Sequence, residues 1–334
     1  MASEGLINIG AQTSFAHHRS GWGFALEALQ AENSPRGIAF YGFLDFTFST
    51  ALNPDYRTML PLQQPWTGFF HNPQDMPFWH PSEHRLSDVL ARDKFRQSLP
   101  HCLGLFTLSE HLAAYLRAAL KLPVSALFHP TEIPPVTFSY EAFLANREKR
   151  IVTVGWWLRR AMSIFYLPLD ARSPYRKARL QTGNALIETT HRAISRLEFV
   201  NEWRNRKLDQ RFRDNTEELA YLPNDAFDRL LSENLVYLDF YAASANNAVV
   251  ECIARGTPLL VNPLPAVVEY LGPDYPFYFN SLEEAAAKAL DFDLVRRTHA
   301  YLMSCPVRVR LSQQAFLSDF RASEVYRHLE AARR

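Results

Sequence analysis

Short apolar runs bounded by turn residues alternate with longer stretches of helical period along the chain, and this alternation predicts parallel sheets flanked by helices. In the first half, Leu6 to Gly10, Gly37 to Phe43, Trp66 to Phe70 and Leu103 to Leu108 read as buried strands that end in polar or glycine residues. Ser109 is placed to cap a helix running to about Leu120, and Pro123 to Phe128 reads as a further strand. His129-Pro130-Thr131-Glu132 and Pro134-Pro135 then interrupt regular structure, which puts a linker near residues 131–148.

A new α/β unit opens at Ile151-Val152-Thr153-Val154-Gly155, an apolar run stopped by glycine. Asn224-Asp225 begins a helix, Leu235 to Leu238 forms a strand, Ala245 to Ala254 a helix and Pro258 to Val261 a strand, a compact βαβ unit. Ala266 to Leu271 makes a short helix ended by Gly272, Phe277 to Phe279 a brief strand, Leu282 to Leu290 an Ala-rich helix, and Ser312 to Arg333 one long final helix.

At 334 residues the chain exceeds what one core usually organises, so two α/β domains of similar size are expected. Lys and Arg number 36 against 35 Asp and Glu, which gives no long-range attraction to nucleic acid or anionic membranes. Phosphate recognition must then be local, and residues 147–213 hold sixteen Lys or Arg against six Asp or Glu. That excess suits a phosphate-bearing ligand or a polyanionic partner, and equally a set of solvated helix faces. The first residues lack a basic stretch followed by an apolar one, and no segment is apolar enough to span a bilayer, so a cytoplasmic protein is expected. Cys102, Cys252 and Cys305 read as small buried hydrophobes. His17, His18, His80 and His84 lack metal-ligand spacing, so neither metal nor cofactor is expected.

The chemistry concentrates between Ser244 and Glu269. Ser244, Asn246 and Asn247 gather at a helix N-terminus, a place where unpaired N–H groups and the helix dipole bind anions such as a diphosphate, or where the side chains simply cap. Glu251 falls inside that helix among Val249, Val250, Cys252 and Ile253, where a carboxylate needs a polar partner such as a sugar hydroxyl. Gly256-Thr257-Pro258 ends the helix and feeds a strand leading, past Asn262, to Glu269.

The run Glu251-Cys-Ile-Ala-Arg-Gly-Thr-Pro-Leu-Leu-Val resembles the Glu-Ala-Met-Ala-x-Gly-Thr-Pro-Val-Val segment of GT-B glycosyltransferases. The resemblance implies two Rossmann-like domains: an acceptor-side domain at residues 1–140, a nucleotide-sugar donor domain at 149–311, and a C-terminal helix at 312–334 that crosses back to the first. It also implies that Glu251 bonds the nucleotide ribose and that an earlier acidic residue contacts the donor sugar. Ser244 stands at that earlier position, and a neutral cap cannot accept sugar hydroxyl protons as a carboxylate does. Gly155 with Trp156-Trp157-Leu158-Arg159-Arg160 is similar to the strand and basic loop that open the donor domain; a guanidinium there stabilises the departing diphosphate. The expected co-substrate is a nucleoside-diphosphate sugar, and the acceptor a glycan, a lipid-linked or a small molecule.

Transfer also needs a group that takes the acceptor's proton. His71, after Trp66 to Phe70, and Asp45, among aromatic residues that raise its pKa, are the catalytic candidates; Gly21 and His129 are further site candidates. Trp66, Phe69, Phe70, Phe78 and Trp79 fit a sugar-stacking wall or a core. Three rivals stay open: a GT-B-like protein that binds a nucleotide sugar or a partner without catalysis, an epimerase of the same fold, and a transferase acting on a nucleic-acid base.

Overall fold

The computed structural model describes residues 5–10, 19–49, 59–80 and 85–333; His17, His18 and His84 lie outside them. Two five-stranded sheets organise the chain, and every strand pair in both is parallel. The first sheet takes its strands in chain order: β1 (Ile7–Asn8), β2 (Ile38–Tyr41), β3 (Trp66–Phe69), β4 (Cys102–Thr107) and β5 (Val124–Ala126). Each lies inside or within a residue of its apolar run.

The two faces of this sheet are covered from different parts of the chain. Helices Leu86–Ala91, Asp93–Ser98 and Glu110–Leu120 cover one face, where Leu86, Phe95, Leu112 and Leu116 meet Trp66 and Phe70. On the other, the helix Trp22–Leu29 is joined by the last two helices, Gln313–Ala322 and Glu324–Arg333. Phe316, Phe320, Val325 and Leu329 are fully buried there, against Phe40, Phe69 and Phe106. The C-terminal segment therefore does cross back, as two helices and not the single one expected. Ser323 is extended (φ −69°, ψ 155°) and its hydroxyl accepts from the Tyr326 amide at 3.0 Å, so a serine inside a helical pattern here starts a second helix.

The second sheet runs β10 (Leu259–Val261), β9 (Leu235–Leu238), β6 (Arg150–Thr153), β7 (Arg176–Leu180), β8 (Thr216–Leu219). The chain order reverses between β6 and β9, and in open α/β sheets ligands bind outside the carboxyl ends of the strands at such a switch point. Phe277 to Phe279 forms only an isolated bridge from Tyr278 to Val261, because the segment follows β10 for too short a distance to build a ladder. A short helix, Tyr140–Ala145, occupies the expected linker, with Phe143 buried in the second core. All three cysteines are buried and free. No helix among the described residues is long and apolar enough to cross a membrane.

Candidate functional site

The loops that follow β6 and β9 meet at the switch point. Arg159 and Phe240 form an antiparallel bridge, the Arg160 amide donates to the Asp239 carbonyl at 2.7 Å, and the Tyr241 amide to the Leu158 carbonyl at 3.0 Å. Gly155 turns the first loop with a φ of +73°, and a Cβ there would come 2.6 Å from Nη2 of Arg159. Glycine is thus required both for the left-handed backbone and for the guanidinium packed on it.

Arg159 is buried. It donates to the Trp157 carbonyl at 3.1 Å and to Oδ1 of Asn246 at 3.2 Å, while its Nε has no partner. Burial lowers its pKa to about 10, with the Glu251 charge opposing, so it remains a cation at neutral pH. Arg160, one residue on, is engaged on the other side: Nε donates to Glu202 at 2.9 Å, Nη1 to Asp239 at 2.9 Å and to the Phe240 carbonyl at 2.6 Å. Burial opposes its charge, yet the Asp239 and Glu202 carboxylates hold its pKa above the usual guanidinium value. The adjacent arginines therefore divide into one aimed at the switch point and one that ties loops together.

The helix at this point is Asn247–Arg255, capped by Asn246, whose Oδ1 accepts from the Ala248 amide at 3.0 Å. Glu251 is buried, and its carboxylate accepts from the Ser20 hydroxyl across the seam between the sheets. One turn on, fully buried Arg255 donates to the Glu251 carbonyl at 3.1 Å and pairs with Asp228; Arg19 bonds the same Asp228 at 2.9 Å and reaches Glu132 at 2.7 Å. Sequence reasoning passed over Arg19, Asp228 and Arg255. Only Arg255 carried a signal, being a charge on an apolar helix four residues from Glu251.

Ser244 and Glu269 both reach the first domain. The Ser244 hydroxyl lies 3.2 Å from that of Ser109, the cap of the Glu110–Leu120 helix. Glu269 sets both carboxylate oxygens on the same helix end, accepting from the Glu110 and His111 amides at 2.6 Å each, a negative charge at the positive end of a helix. Burial raises its pKa and these bonds oppose the rise.

Asp45 and His71 meet each other in the first domain. Asp45 is buried and accepts from the His71 amide at 2.8 Å and the Asn72 amide at 3.1 Å; burial lifts its pKa to about 6 against those bonds. The His71 ring stacks on Phe43 with centroids 3.7 Å apart and stands edge-on to Trp22 at 4.6 Å. Its Nε2 lies 2.8 Å from the Gly42 carbonyl, so that nitrogen carries the proton, and burial lowers the pKa to about 3. His129 places Nε2 2.7 Å from the Ser20 carbonyl and stacks over Trp22 at 6.0 Å. Gly21 is the N-cap of the helix that begins at Trp22, and the buried indole N–H of Trp22 has no acceptor.

The aromatic run divides. Trp66, Phe69 and Phe70 are fully buried because β3 is the central strand of its sheet, and Phe78 is exposed. Trp79 stands edge-on to Tyr241 at 5.0 Å, and the Trp157 indole donates to Asn72 at 3.1 Å, two more contacts across the seam.

No protein-family model matches the chain, and no curated protein does. Solved structures do. An α,α-trehalose-phosphate synthase (UDP-forming) from Burkholderia vietnamiensis is 14% identical, with a TM-score of 0.54 over 92% of this chain and 78% of that one. Sucrose-phosphate synthase from Thermosynechococcus elongatus is 15% identical, with a TM-score of 0.63 over 88% and 74%. An Anabaena protein in complex with UDP-glucose is 12% identical, with a TM-score of 0.51 over 80% and 72%. What is shared at such identities is architecture, and the two parallel-sheet domains of this chain have the GT-B fold.

Proposed function

We propose that the chain is a glycosyltransferase that takes a sugar from a nucleoside-diphosphate sugar, with the diphosphate held between Arg159 and the N-terminus of the Asn247–Arg255 helix. The observation that carries this reading is the buried Arg159 guanidinium, which has an unsatisfied Nε at the switch point beside that helix end. A buried donor without an acceptor is costly, and a phosphate oxygen relieves it. The buried indole N–H of Trp22, two residues after the Ser20 that bonds Glu251, also lacks an acceptor.

In the proposed reaction the anomeric C–O bond breaks, negative charge collects on the leaving diphosphate, and an acceptor oxygen bonds the anomeric carbon as its proton passes to a base. Arg159 and the helix end stabilise the departing charge. Asp45, with its pKa near 6, is better matched to take a proton at neutral pH than His71. The neighbours named for UDP-sugar chemistry support the same donor class, and the acceptor class extends to glycans, lipid-linked and small molecules.

A second reading, nucleotide-sugar binding without transfer, is favoured by one observation: Asp45 accepts backbone bonds from His71 and Asn72, and His71 spends Nε2 on Gly42. Thermal stabilisation by UDP-, GDP-, dTDP- and CMP-sugars, followed by assay for donor hydrolysis, separates the two. Stabilisation with turnover supports transfer, stabilisation without it supports the binder, and no shift with any nucleotide sugar removes both.

A further inference from the structure

The helix Ala185–Glu198, prolonged by a π turn over Phe199–Trp203, is built inside out. Its buried positions are Glu188, His191, Ile194 and Glu198, three of the four ionisable, and those three meet β7 and the loops that follow β6 and β7. Glu188 accepts from Arg179 at 3.0 Å and from the Thr182 amide at 2.7 Å, His191 meets Arg179 at 3.0 Å, and Glu198 accepts from the Met162 amide at 3.0 Å. Opposite them, Leu186, Ala193, Leu197 and Val200 recur at helical spacing on the outward side. A surface helix of a globular domain normally does the reverse.

The outward side is accessible. Leu186 is 75% exposed, Val200 52%, Phe199 40% and Leu197 38%. Four of the thirteen large hydrophobic residues exposed among the described residues thus fall within this one helix and its extension. Scattered apolar residues need no explanation, but a stripe along one helix does.

Charge selects the occupant. Residues 192–213 hold seven Lys or Arg and three Asp or Glu. Two of the three acids are turned inward, Glu198 fully buried and Glu202 paired with Arg160. Arg192, Arg196, Arg204, Arg206 and Lys207 are all exposed beside the stripe. A second copy docking on the same face would set like charges against one another, whereas an anionic bilayer presents phosphates to the guanidinium groups and hydrocarbon to the stripe. The near-zero net charge of the chain does not oppose this, since the attraction acts within a Debye length of the surface.

We propose that this helix lies on anionic phospholipid surfaces, its Leu186–Val200 stripe in the headgroup boundary and its arginines on lipid phosphates. The inference is independent of sugar transfer. It also gives the mainly polar inner face a purpose: apart from Ile194 and Trp203, the helix is held to the Arg159-bearing loop and β7 by hydrogen bonds and ion pairs, which leaves its exposed apolar residues for the membrane.

Flotation with vesicles tests it. The full chain is expected to float with vesicles of equal parts phosphatidylcholine and phosphatidylglycerol, and to stay in the aqueous fraction with phosphatidylcholine alone. The double variant Leu197→Glu, Val200→Glu is expected to lose at least about tenfold in partition with its melting temperature unchanged, since both side chains are solvent-exposed. Arg196→Glu with Arg204→Glu is expected to weaken binding and flatten its salt dependence. The proposal is overturned if the wild type floats with neither vesicle, if both double variants float as it does, or if light scattering shows a dimer that Leu197→Glu dissolves, which would make a second copy the occupant.

Discussion

The Ser20 hydroxyl donates to the Glu251 carboxylate, and the two residues belong to opposite domains 231 positions apart. Ser20→Ala removes a buried donor and leaves the carboxylate in place, an expected loss of roughly 1–3 kcal/mol in urea unfolding. Glu251→Gln keeps an acceptor for Ser20 and should cost less. Equal stability of Ser20→Ala and wild type would mean that the bond contributes nothing to holding the domains.

Arg159 and Arg160 should separate by readout. Arg159→Ala is expected to weaken nucleotide-sugar binding by at least about tenfold, because the phosphate loses a charge-assisted donor. Arg160→Ala should instead destabilise the fold by roughly 2–3 kcal/mol, by leaving Asp239 and Glu202 without their cation. That is below the cost for a fully buried pair, as the Arg160 side chain is 29% exposed. Calorimetric titration and unfolding of both variants check the division, and an exchange of the two phenotypes would reverse the assignment.

Glu198 makes stability depend on pH in a definite direction. Burial raises its pKa from 4.5 to about 7, so the folded state binds a proton that the unfolded state releases between these values. Stability should therefore fall as pH rises from about 4.5 through about 7. Glu198→Gln should remove this component, gaining roughly 3 kcal/mol over wild type at pH 8 and nothing at pH 4. His71 and His191 work oppositely: burial lowers them to about 3 and about 4, so they favour the fold at neutral pH and cost stability as pH falls below their unfolded value of 6.5. The measurement is the difference between variant and wild-type melting temperature across pH, and a constant difference would count against Glu198 as its source.

Phe320→Ala should cost roughly 3–5 kcal/mol, since the ring is fully buried and stacks on Phe106 at 4.9 Å. Amide exchange should show the loss in β1 to β4 of the first sheet, with the second sheet still protected. Uniform loss across both sheets would mean that the domains unfold as one unit.

Elements whose signals are local were legible in the sequence. The strand Leu235–Leu238 and the helix Leu282–Leu290 occupy the residues their patterns predict, and Ser109 caps its helix as expected. β7 and β8 were not, because Arg176-Lys177-Ala178-Arg179-Leu180 and Thr216-Glu217-Glu218-Leu219 look solvated. Arg179 pairs with Glu218 on the neighbouring strand at 2.8 Å, Arg150 reaches from β6 past β7 to Glu217 at 2.5 Å, and buried Lys177 donates to the Phe165 and Leu167 carbonyls. In the candidate site, the turn at Gly155 and the cap at Asn246 were legible as local structure, but not which of two adjacent arginines packs on them. That is decided by Gly155 and Asn246 on one side and by Asp239 and Glu202 on the other. Ser20 comes to Glu251 only through folding of distant segments.

The return of the last two helices to the first sheet bears on how the protein is made. During synthesis the first five strands emerge long before Phe316 and Phe320, so the part of one apolar face that Trp22–Leu29 leaves uncovered stays open until the last two helices arrive. The second domain, with its own core, is free to settle sooner. Order of emergence and order of completion are then opposite, and the half of the molecule translated first is the half most in need of a chaperone's cover.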